Sequence, residues 1–114
     1  MKNRVKKKKF NYRWDLFFKH AHGGKLGSSY IYDGNKVCAQ GAFLTTKEKE
    51  NHLGMLGLDT YTYDIVKTEA GLIGYDLGRL MSVHDDIGKS NEEEMGWLIG
   101  LAEILREESN CTTT

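Results

Sequence analysis

No proline interrupts this chain, and thirteen glycines do. At average usage of about 5% and 7%, a chain this long would hold roughly six prolines and eight glycines. Turns must therefore be made by glycine's access to positive φ, not by proline's fixed φ. The glycine positions cut the 114 residues into short segments. A chain of this size buries roughly two thirds of its unfolded surface, enough for one modest core. The longest apolar stretches break within a few residues, so no membrane span is expected. The basic N-terminus is not followed by an apolar run, so a secretory signal is not expected either. Cys38 and Cys111 are two and far apart, which points to a reduced, cytoplasmic setting, not a disulfide framework.

Between these breaks the residue patterns suggest elements. Residues 11–22 read as a helix, with Tyr12, Leu16 and Phe17 on one face and Gly23-Gly24 as its stop. Ser29-Tyr30-Ile31-Tyr32, then Asp33-Gly34-Asn35, then Lys36-Val37-Cys38 carry a hairpin signal. Residues 39–52 suggest a second helix, broken by Gly54 and Gly57. Residues 60–66 are β-branched and aromatic, which favours a strand, although Asp59 and Thr60 could cap a helix. Residues 72–83 form a further helical face. Ser90 and Glu93 have capping-box spacing ahead of a stripe of Met95, Leu98, Ile99, Ala102 and Leu105. The expected fold is a small α+β domain, mostly helical, with one short β-hairpin packed on the helices. Its expected limits are a basic, flexible arm at 1–9, one globular domain at 10–109 and a frayed tail at 110–114.

The zero net charge conceals a division. Residues 1–25 carry nine Lys or Arg against Asp15 alone, and residues 26–114 carry the reverse excess, fifteen acids against seven bases. Segregated charge suggests a partner-binding element, a solvated arm, or an arm folded back on the acidic C-terminal helix. Lys2, Arg4, Lys6, Lys7, Lys8, Lys9 and Arg13, interleaved with Phe10, Tyr12 and Trp14, are what single-stranded nucleic acid requires: phosphate contact and base stacking. Trp14, Phe17 and Phe18 read equally as core. Tyr30, Tyr32, Tyr61 and Tyr63 add candidate interface surface, tyrosine being enriched in protein contacts.

Catalytic chemistry finds little support. His20 and His22 point apart on a helix, and no His or Cys pair has zinc spacing, so no metal or other cofactor is expected. His84-Asp85-Asp86 is a weak echo of metal-dependent phosphohydrolases and reads better as carboxylates between two helices. Cys38 lacks an identifiable base and reads as a small buried hydrophobe. No enzyme is expected, with a hydrolase using His84 and Asp85 as the remote third reading.

Two segments carry a resemblance. Asp33-Gly34-Asn35-Lys36-Val37-Cys38-Ala39-Gln40-Gly41-Ala42 is similar to a turn, strand and Cys-x-x-Gly-Ala element, and His84-Asp85-Asp86-Ile87-Gly88-Lys89-Ser90-Asn91-Glu92-Glu93 to an Asn-Asp, spacer, Ser-x-Glu-Glu element. Together they resemble a family of small uncharacterised proteins of tailed bacteriophages and related bacteria. His84 stands where that family commonly has Asn. The resemblance implies a phage or mobile-element origin and a bacterial cytoplasm, and no activity. The function class expected is a non-catalytic accessory protein that binds a host or phage protein, in regulation or counter-defence, for example as inhibitor of a bacterial immune nuclease. The alternative is a nucleic-acid binder using the basic N-terminal arm.

Overall fold

The structure, a computed structural model, describes the backbone of residues 2–87 and 92–112 and the side chains of 12–84 and 95–109. Five α-helices occupy the described residues: α1 (Lys2–His22), α2 (Thr46–Asn51), α3 (Thr60–Glu69), α4 (Asp76–Ile87) and α5 (Glu92–Thr112). A single 3-10 turn, Gly41–Phe43, precedes α2. None of these helices is long and apolar enough to cross a membrane.

The expected α+β class is incorrect: the described residues contain no strand and no sheet, and the domain is all-helical. The Asp-Gly-Asn turn does form. Asp33 accepts the amides of Asn35 and Lys36 at 2.8 and 2.6 Å, and Gly34 takes φ +93°. One antiparallel bridge, Tyr32 to Val37, follows from it, flanked by cross-turn bonds from Asp33 N to Lys36 O and from Cys38 N to Tyr30 O, without building a strand. The reason lies in where the neighbouring backbone groups go. Ile31 N donates to Met55 O, Gly54 N to Tyr32 O, and Val37 N to Lys25 O. These groups pair with other segments, so the arms share only isolated bonds and do not continue as a ladder.

The other elements also moved. Residues 60–69 are helical because Asp59 caps α3, accepting Thr62 N at 2.7 Å, which overrides the strand propensity of the Thr-Tyr run. The single helix expected over 39–52 is divided, since Thr45 is extended and begins α2 with a reciprocal capping box to Glu48. The helix α1 starts at Lys2, so residues 2–9 are its first turns. It ends where Gly24, at φ +69°, allows Lys25 N to reach back to His20 O and Gly24 N to Ala21 O. Ser90 and the ends of the chain at Thr113 and Thr114 lie outside the described residues.

The core forms around α1. Trp14, Phe17 and Phe43 are fully buried, with ring centroids 4.9–6.0 Å apart in edge and tilted arrangements. Val66 and Ala70 from α3, Leu77 and Leu80 from α4, and Leu98, Ala102 and Leu105 from α5 complete it. Trp14 Nε1 donates to Ala70 O at 2.8 Å, so its one polar atom is satisfied at the C-terminus of α3. Ser109 Oγ lies 3.1 Å from Gly71 O, bringing the end of α5 beside the start of the α3–α4 link. With a link of four residues, α4 and α5 therefore run antiparallel.

Candidate functional site

Arg13 is the first candidate residue to be placed. It is buried, and its guanidinium holds Glu48 by two bonds (2.6 and 3.0 Å), Glu69 by two (3.1 and 2.8 Å) and the Phe43 carbonyl at 2.9 Å. Burial alone would lower its pKa, yet the bonds to Glu48 and Glu69 raise it. Burial likewise pushes Glu48 up, but Arg13 and the Thr45 amide hold it at about 2. All of the donor capacity of Arg13 is engaged in joining α1 to α2 and α3, so it offers nothing to a phosphate backbone. The side chains of Lys2, Arg4, Lys6, Lys7, Lys8 and Lys9 lie outside the described residues. Trp14, Phe17 and Phe18 are core residues, as the second of their two readings had it.

The four tyrosines do not share a surface. Tyr63 is half-buried against the core, and Tyr61, 77% exposed, borders a shallow groove beside the Arg13 cluster. Tyr30 is exposed near the loop that carries Met55, whose carbonyl accepts Ile31 N. Tyr32 forms one wall of a separate cleft. Cys38 is buried, its sulfur accepting Gly41 N at 3.4 Å. A Cβ at Gly41 would overlap the Ile31 carbonyl, so the Cys-x-x-Gly-Ala element is a packing device. Among the described residues no three His, Cys, Asp or Glu side chains could hold a metal ion.

Two surfaces emerge that the sequence patterns did not isolate. The first lies on α4 and α5. Trp97, Leu101 and Ile104 follow at i, i+4, i+7 on one face of α5, and Trp97 and Ile104 are 65% and 56% exposed. Leu101 closes a groove of about 500 Å³ with Tyr75, Gly78, Arg79, Ser82 and Val83 of the α4 region. Tyr75 is 89% exposed. Gly78, Gly96 and Gly100 sit inside these two helices, and a Cβ at any of them would meet no atom of the described residues within 4 Å. This face is the outward counterpart of the core stripe of α5.

The second surface is a cleft of about 490 Å³ between the C-terminal end of α1, the 32–37 turn and α2. Lys19, Lys25 and Lys49 border it, with Tyr32, Asn35 and Thr46. Lys49 Nζ is 3.0 Å from His20 Nε2 and 5.2 Å from the centroid of the Tyr32 ring. His20 Nδ1 lies 2.7 Å from the Leu16 carbonyl, so that nitrogen carries the proton and Nε2 accepts from Lys49. Burial, then the charge of Lys19, push the Lys49 ammonium down, with Glu50 opposing and Lys25 adding to the shift. His20 is lowered by burial first, with Lys49 and Lys19 adding to it. No local spacing signals this cleft, because its residues come from three distant segments. Trp97, Leu101 and Ile104 did carry a signal, a second apolar set offset from the core stripe. Comparisons with protein-family models, curated proteins and solved structures returned no match.

Proposed function

We propose that this chain is a non-catalytic accessory protein that binds another protein, and that the α4–α5 face is its contact surface. The observation that carries the reading is the exposed pair Trp97 and Ile104, which flank Leu101 on one face of α5, together with the groove that Leu101 and the exposed Tyr75 line. Large aromatic and aliphatic side chains rimming a concavity are the usual anchors of a protein contact. The glycines support it. An exposed helix gains about 1 kcal/mol from alanine in place of glycine, and among the described residues Gly78, Gly96 and Gly100 have no packing neighbour that would require their small size. They make sense where the backbone of another chain comes close. The partner is expected to present an apolar ridge bordered by basic groups, since Glu107 and Glu108 are exposed at the end of the same helix. The partner proposed is a host or phage protein in a bacterial cytoplasm, as the phage-type resemblance of the two segments would imply, with inhibition of an immune nuclease as one specific form.

The test is capture of a stoichiometric protein from nuclease-treated host lysate, by wild type and by the Trp97→Lys, Ile104→Lys double variant. The variant keeps its fold, because both side chains lie largely in water. Capture by the wild type and loss by the variant is the expected result. Equal capture by both, or loss on nuclease treatment, contradicts the reading. The latter outcome favours the nucleic-acid alternative through Lys2, Arg4 and Lys6 to Lys9.

A further inference from the structure

The cleft between α1, α2 and the 32–37 turn gathers three ammonium groups around one cavity, and no carboxylate is among the described residues that line it. Two arginines outside the cleft are paired with carboxylates. Arg13 has Glu48 and Glu69, and Arg79 has Asp76. Asp33, in the turn beside the cleft, is engaged with the Asn35 and Lys36 amides. Lys19 and Lys25 border the same cavity as Lys49 and repel it, Glu50 offsetting part of that repulsion, and an anion placed between the three ammonium groups relieves the rest.

The cavity is also too large for an anion alone. Its volume of about 490 Å³ falls in the range of sites that enclose a drug-sized molecule. Leu16, Val37 and Leu44 give it an apolar floor, and Tyr32 an aromatic wall. The Asn35 amide and the Thr46 hydroxyl supply directional polar groups. Neutral His20, held by the Leu16 carbonyl, fixes Lys49 at the mouth. Phosphate-binding charge next to an apolar, aromatic-walled space fits one ligand class. We infer that this cleft binds a nucleoside phosphate, with the phosphate between Lys19, Lys25 and Lys49 and the nucleoside against Tyr32 and the apolar floor. The site is separate from the α4–α5 face and independent of the role given to that face.

Calorimetric titration of the full chain tests it with three probes: AMP, inorganic phosphate and a 5′-phosphorylated oligothymidylate. AMP is expected to bind at one site, at least about tenfold more tightly than inorganic phosphate, a gap of about 1.4 kcal/mol. Lys25→Gln and Lys49→Gln should each weaken it by about tenfold, while Trp97→Lys leaves it unchanged. A free nucleotide as the source is indicated if AMP binds as tightly as the oligonucleotide, and a strand terminus if the oligonucleotide binds more tightly. Either result supports the site. No heat with any probe overturns the inference. So does equal affinity for AMP and inorganic phosphate, or binding that falls with Lys6→Gln and Lys8→Gln but not with Lys49→Gln. Should the lysine variants fail to fold, Asn35→Ala and Tyr32→Leu on the cleft wall must weaken AMP without changing the affinity for inorganic phosphate. Unchanged AMP binding in both would equally overturn it.

Discussion

Arg13 is the single side chain on which the packing of α1, α2 and α3 converges. Removing one partner from a buried ion pair usually costs about 3–5 kcal/mol. Arg13→Met leaves two carboxylates that are already partly exposed and can regain water, so the lower end, about 3 kcal/mol by denaturant unfolding, is expected. Glu48 gives the same cluster a pH signature. Its folded pKa of about 2 is below the ordinary carboxylate value of 4.5, so its contribution is fully present above pH 4.5 and is lost as pH falls toward 2. Between pH 5 and 2 the Tm of wild type should therefore fall more steeply than that of Glu48→Gln. Parallel slopes would show that the pair is not what acid breaks. Gly41→Ala forces a methyl group into the Ile31 carbonyl, a backbone atom that cannot step aside, and should leave little folded protein at ambient temperature. In the sequence, Arg13 looked like one more basic residue in a basic arm. Its neutralisation depends on Glu48 and Glu69, 35 and 56 residues away, and no local pattern contains that information.

At the scale of elements, helix-forming signals were legible where they were local. The α5 stripe of Leu98, Ala102 and Leu105 and the Gly23-Gly24 stop of α1 follow from spacing and from glycine's permitted φ. The hairpin did not follow as strands, although its turn and two cross-turn bonds formed, because Ile31 N and Val37 N pair instead with Met55 and Lys25. The Thr45–Glu48 capping box was written in the sequence as Thr-x-x-Glu inside a stretch read as one continuous helix. Thr45→Ala should lower stability by about 1 kcal/mol through loss of that cap. The glycines of α4 and α5 distinguish packing from contact. Gly100→Ala should raise the Tm, since alanine favours the helix by up to about 1 kcal/mol, and should weaken capture of the partner. A variant that is stabilised with no loss of capture would remove the glycines from the contact argument.

At the scale of the molecule, the neutral net charge separates into a basic first quarter and an acidic remainder. The structure subdivides that pattern further: Arg13 is neutralised in the core region, Lys19, Lys25 and Lys49 face a cleft, and Glu107 and Glu108 are exposed on α5. The aromatic residues divide in the same way, Trp14 into the core and Trp97 into solvent. Sequence position could assign charge to the two ends but could not say which charges face one another, because that is set by how the helices pack. The central claim is that the α4–α5 face is covered by another protein. The measurement that tests it most directly is photo-crosslinking from a benzophenone side chain placed at position 104, in host cells, against the same group at position 47 on α2. The account predicts one discrete protein adduct from position 104 and none from position 47. No adduct at 104, or the same adducts from both positions, would contradict it.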